Sequence, residues 1–199
     1  MKKLIVKTAL ITLASLLAVF LLVLTAMTMY APRTMASLLD GVGNRGLSLW
    51  YTELAYQKFG ETNDLTNVFD KAVSAKDYER TIKYGNILIG REDFAEICAS
   101  QDNGGAVSYK NYVFGNTSVA MYAENYADED ILSFASATAE GVYPPFNAYQ
   151  VLLYSDLTSK DKEFLSALRE KLSALFTATA DETLQNDIAY LDQILQDLT

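Results

Sequence analysis

No basic residue occurs between Lys110 and Lys160, yet six carboxylates lie there, on Glu124, Asp128, Glu129, Asp130, Glu140 and Asp156. They alternate with tyrosine and phenylalanine rings, from Tyr112 and Phe114 to Tyr149 and Tyr154. Carboxylates draw a cation in by their field, and an aromatic face holds it by cation–π contact. The chemistry expected of this stretch is therefore capture of a basic peptide or protein segment. The partner-binding candidates are Tyr112, Tyr122, Tyr126, Asp128, Asp130, Tyr143 and Phe146. The plainer alternative makes the rings core residues and the carboxylates a solvated face that keeps the domain soluble.

Other chemistries are poorly supplied. The chain has no histidine and one cysteine, Cys98, so histidine-based triads, most zinc sites and any intramolecular disulfide are excluded. Cys98 reads as a small buried hydrophobe, because a nucleophilic thiol needs a base or a cationic neighbour to ionise it. Asp128-Glu129-Asp130 lacks the alternating ligands and the glycine of a calcium loop, and suits the N-terminus of a helix instead. Nothing in the spacing brings two carboxylates into a cleft for glycoside hydrolysis. Gly41-Val42-Gly43-Asn44-Arg45-Gly46 has close glycines but no preceding strand, so it reads as a turn between helices and not as a phosphate cradle. Asn116-Thr117-Ser118 matches a glycosylation acceptor by chance, inside a helical stretch. No catalytic residue, cofactor or metal is expected. The net charge of −9 disfavours nucleic acid as a partner.

The elements that position these residues start from a membrane anchor. Residues 8 to 31 form an uncharged run of 24, long enough as a helix to cross about 30 Å of hydrocarbon. Lys2, Lys3 and Lys7 precede it, while Arg33 and Arg45 are the only nearby cations after it. That asymmetry predicts a cytoplasmic N-terminus and an extracytoplasmic remainder. A cleaved signal peptide fits less well: the apolar run is long, and Met29 and Pro32 flank the candidate cleavage site at Ala31. Tyr30 and Arg33 suit the headgroup level. The expected division is thus a tip and anchor over 1–32 and an exposed domain over 33–199, with a possible sub-boundary at 102–105.

The exposed part reads as helices. Apolar spacing predicts them over Met35–Asp40, Leu47–Phe59, Asp93–Ala99, Ser108–Tyr126 and Glu129–Glu140, with one carrying Leu65, Val68, Phe69, Ala72 and Val73 and one carrying Tyr78, Ile82, Ile87 and Leu88. In the second of these, Leu47, Trp50, Tyr51, Leu54 and Ala55 share helical spacing. Asn147–Tyr154 suits strand or helix, and its helical neighbours favour helix. Asn63 or Asp64, Asp77 and Asp128 are suited to N-caps. Thr158 with Asp161, and Thr179 with Glu182, have capping-box spacing and mark two final helices. Leu165, Leu168, Leu172 and Leu175 line one, and Leu184, Ile188, Leu191, Leu195 and Leu198 line the other, predicting an antiparallel pair. The fold class is all-α.

Residues 39 to 72 resemble degenerate tetratricopeptide repeats. Leu39, Val42, Gly43, Ala55 and Phe59 fall on that family's large, large, glycine, small and aromatic positions, and Tyr56, Phe59, Gly60 and Ala72 fit a second register. The resemblance, over about a third of the chain, implies a stack of helical hairpins that grips other proteins and has no catalytic residues. The expected function is a membrane-anchored helical-repeat adaptor on the outer face of a bacterial cytoplasmic membrane, binding another envelope or membrane protein. A ligand-binding module for peptide, sugar or cation is the alternative, with an envelope hydrolase third.

Overall fold

The structure is a computed structural model that describes residues 2–102, 107–138, 147–155 and 162–198. Every element among them is helical. The order is α1 (Lys2–Tyr30), α2 (Pro32–Gly41), α3 (Arg45–Phe59), α4 (Thr62–Ala75), α5 (Tyr78–Ile89), α6 (Phe94–Gln101), α7 (Tyr109–Ala123), α8 (Asp128–Ser136), α9 (Ala148–Leu153), α10 (Lys162–Thr179) and α11 (Glu182–Asp197). Leu10–Tyr30 is long and apolar enough to span a membrane, and none of it is buried inside the protein.

Local chemistry accounts for most helix ends. The Asn44 side chain accepts from the Leu47 amide at the start of α3, and Gly60 ends that helix at φ +67°, a left-handed conformation that glycine adopts without strain. Asp77 and Ser108 cap α5 and α7 by accepting from the Arg80 and Asn111 amides. Asn147 and Gln150 form a reciprocal capping box that starts α9, a six-residue helix, in the stretch whose sequence suits strand or helix. Three expected caps are replaced. Asp181 caps α11 through the Thr183 amide, while the Thr179 hydroxyl turns back to the Leu175 carbonyl. Ala127 holds the N-cap position of α8, which moves Asp128 into the first turn. α4 starts at Thr62, so Asn63 and Asp64 lie inside it. Thr158 and Asp161 fall outside the described residues.

Two compact units divide the chain inside α4, at 1–71 and 72–199. In the first, α2 packs on α1 and α3. Arg33 donates to both carboxylate oxygens of Asp64, at 2.9 and 2.7 Å, and pairs with Glu61 at 2.6 Å. These bonds hold its pKa above the ordinary arginine value. Its guanidinium also lies 4.6 Å from the Phe59 ring centroid. The residue that suits the headgroup level by sequence is thus committed to joining α2 to the start of α4.

In the second unit α7 is the central helix, touching α5, α6, α8 and α9, while α10 touches α8, α9 and α11. Ile131, Leu152, Phe164, Leu168, Leu172, Leu184 and Leu191 form its core. Leu165, Leu168 and Leu172 from the first C-terminal stripe and Leu184 and Leu191 from the second are all buried there. α7 and α9 approach closely at Gly115, where a β-carbon would lie 2.5 Å from Val151 Cβ.

Candidate functional site

A cleft of about 230 Å³ opens in the second unit between the α4–α5 turn, the middle of α7 and the end of α9. It is lined by Val73 and Lys76, by Tyr78 and Thr81 of α5, by Asn116 and Val119 of α7, and by Tyr154 and Ser155. Each position has a local reason. Lys76 takes φ +54° to turn the chain between α4 and α5, and the Thr81 hydroxyl is bound to the Asp77 carbonyl. The Asn116 amide donates back to the Tyr112 carbonyl one turn earlier. Tyr154 ends α9, where its backbone amide donates to the Gln150 carbonyl and the Ser155 amide to the Leu152 carbonyl.

Tyr154 is held from beneath. Its hydroxyl donates to Asp187 Oδ1 at 2.6 Å, and Gln150 Nε2 donates to Asp187 Oδ2 at 2.6 Å. Asp187 is only 4% exposed and Gln150 2%, so each carboxylate oxygen accepts a hydrogen bond in a poorly solvated place. The Tyr154 ring stacks on Tyr190, with centroids 5.9 Å apart and planes 12° apart, and both rings stay about half exposed. The bond to Asp187, with burial and the carboxylate charge added, pushes the Tyr154 pKa up to about 12. The result is an aromatic wall with its ring orientation fixed and one face available, a form suited to contact with an apolar or cationic side chain.

The residues singled out by sequence do not converge on this cleft. Tyr112 stacks on Tyr109 near the start of α7, at 5.8 Å between centroids. Tyr122, ten residues on, packs against Phe164 at 4.7 Å and belongs to the core layer. Tyr126 is exposed at the turn after α7, and Asp128 and Asp130 follow in the first turn of α8, where acidic side chains favour the helix dipole. Tyr126, Asp128 and Asp130 therefore share one short acidic turn. Tyr143 and Phe146 lie outside the described residues.

Tyr154, Tyr190 and Asp187 are the site residues that sequence reasoning missed. A signal for Asp187 existed: it falls between Leu184 and Ile188 on the apolar stripe of α11, so a helix presenting that stripe to the core also presents the carboxylate. Cys98 is buried and free, and burial together with the Asp102 charge pushes its thiol pKa up to about 11, which keeps it protonated at neutral pH. Among the described residues no three acidic or thiol groups gather to hold a metal ion. Thr117 and Ser118, in the glycosylation-like triplet, are fully buried on α7. Comparison with protein-family models, with curated proteins and with solved structures gives no match.

Proposed function

We propose that this chain is a membrane-anchored adaptor that displays its helical units outside the cytoplasm and grips a segment of another envelope or membrane protein. The observation that carries this reading is the cleft beside the Tyr154–Tyr190 stack. Ligand pockets for drug-sized molecules run from about 300 to 1,000 Å³, so about 230 Å³ suits one or two side chains of a bound polypeptide better than a free sugar. Lysine and arginine side chains of the partner would meet the tyrosine faces, while the turn at Tyr126, Asp128 and Asp130 adds to the field that attracts them. Arg169 pairs with Asp192 at 2.5 Å, eleven and twelve residues from Ala180 in the turn, which supports an antiparallel α10–α11 hairpin.

A photo-crosslinking phenylalanine derivative in place of Tyr190, in the full chain in cells, tests the proposal against the same label at exposed Lys171. The expected result is a discrete adduct at position 190 and none at 171, with its yield cut roughly tenfold by Tyr154→Ala, as for loss of a central aromatic contact. Equal labelling at both positions, or indifference to Tyr154→Ala, would reject the cleft as the binding site.

A further inference from the structure

α3 is arranged inside out. Its buried face carries Ser48, Thr52 and Glu53 beside Leu49 and Ala55, whereas Leu47 is 49% and Trp50 43% exposed, on the same side as Tyr51, Leu54 and Lys58. Of the residues that share helical spacing from Leu47 to Ala55, Leu47 and Trp50 are thus exposed while Ala55 is buried. The inner polar groups are provided for: Ser48 Oγ donates to the Ala36 carbonyl and accepts from Lys71 Nζ, and the Thr52 hydroxyl donates to the Ser48 carbonyl. For a helix meeting water on its outer side this is the wrong distribution. For one meeting lipid there it is the expected one.

The same outer face is tied to the end of α1. Tyr51 OH and Thr28 Oγ1 are 2.9 Å apart, and Lys58 Nζ donates to the Met29 carbonyl. Tyr51 and Lys58 are seven residues apart, hence about 10 Å along α3, yet their tips reach consecutive residues of α1. Both contacts fall on the last turn of the span Leu10–Tyr30, so a helix tied to it there lies at headgroup depth. Its outer face has the composition of that zone: a tryptophan and a tyrosine in edge-to-face contact at 4.7 Å, two leucines, and a lysine 5.5 Å from the Tyr30 ring centroid. The face carries no carboxylate, in a chain with 25 acidic residues.

We infer that α3 is an interfacial helix whose Leu47, Trp50, Tyr51, Leu54 and Lys58 face rests in the lipid headgroup layer around α1. The inference rests on the anchor reading and adds a second membrane contact to it. Leucine and indole enter the acyl boundary while the Lys58 ammonium caps the free carbonyls of α1 near the phosphates. The first unit would then be held against the bilayer by a surface as well as by a tether.

Trp50 is the only tryptophan in the chain, so its fluorescence reads this face directly. The full chain is reconstituted into phosphatidylcholine vesicles, with or without lipids brominated at acyl carbons 6 and 7. The expected result is emission quenched about twofold or more by the bromolipid and shielded several-fold from acrylamide relative to free indole, both effects shrinking in Leu47→Glu, as interfacial burial requires. Emission indifferent to bromolipid and open to acrylamide, in protein that resists carbonate extraction, would overturn the interfacial placement while leaving the anchor intact. Protein released by carbonate would overturn both.

Discussion

Gly115→Ala is expected to lower the stability of the second unit, although alanine is the better helix former. The added β-carbon would lie 2.5 Å from Val151 Cβ, 2.7 Å from Cγ1 and 2.8 Å from Cγ2, where carbon atoms at their optimum stand about 3.5–4.0 Å apart. The nearest atom is a β-carbon fixed to the α9 backbone, so no rotamer change relieves the clash and the two helices must part. Overpacking of this kind costs roughly 1–3 kcal/mol and at times more, against a helix-propensity gain of about 1 kcal/mol. A net loss of about 2 kcal/mol should lower the melting temperature of the detergent-solubilised chain by roughly 4–8 °C, followed by circular dichroism. Val151→Ala should restore only part of that loss, because it removes Cγ1 and Cγ2 and leaves Cβ in place. A Gly115→Ala protein melting at or above the parent temperature would show that α7 and α9 do not approach as described.

Asp187→Ala should cost more. It removes the acceptor of two hydrogen bonds at a site 4% exposed and leaves the buried Gln150 amide without that partner. Bonds to a charged group contribute about 1.5–3 kcal/mol each, and a stranded buried donor adds its desolvation cost, so a loss of about 3 kcal/mol is expected. Asp187→Asn should cost less, since the amide keeps one acceptor and the Tyr154 hydroxyl can turn to accept. Tyr154→Phe, which leaves the Gln150 bond intact, should cost least. Titration separates this network from simple packing. The folded pKa of Tyr154, about 12, lies above the ordinary tyrosine value of 10; the stability it contributes is complete below pH 10 and disappears as pH rises through 12. In Asp187→Ala the Tyr154 resonance, followed by ring-labelled NMR, should titrate nearer 10, and the loss of stability that Tyr154 causes between pH 10 and 12 should disappear. An unshifted Tyr154 titration in that variant would contradict the bond to Asp187.

Features set by short stretches were the legible ones. The long apolar helix α1 is a matter of local composition, and Asp77 and Gly60 act on an amide or a dihedral within a few residues, so their roles could be read from the chain. Caps with two nearby candidates were harder. Asp181 displaced Thr179 because its carboxylate reaches the Thr183 amide directly, a contest that spacing alone cannot decide. Gly115 was a glycine inside a helical pattern, which hints at a close approach, but Val151 as its neighbour is a tertiary fact. The Gln150–Asp187–Tyr154 network joins residues more than thirty positions apart, and only the carboxylate's place on an apolar stripe betrayed it. For α3 the helical period was readable, but spacing identifies an apolar face without telling what covers it.

The acid and aromatic stretch illustrates the same limit. Alternation between Lys110 and Lys160 suggested one surface, yet α7 separates Tyr112 from Tyr122 by ten residues, about 15 Å of helix, and turns Tyr122 toward Phe164. Burial claimed part of the set and the helix terminus claimed Asp128 and Asp130. The aromatic wall of the candidate cleft comes from Tyr154 and Tyr190, which are distant in sequence and stacked in space.

An extracytoplasmic adaptor requires its helical units on the outer side of the membrane. Protease treatment of intact, wall-stripped cells, with an epitope at the C-terminus and a cytoplasmic protein followed in parallel, tests this directly. The expected result is an epitope that is digested while the cytoplasmic control survives and a membrane-bound stub carrying α1 remains. An epitope protected until the membrane is breached would place the helical units in the cytoplasm and contradict that role.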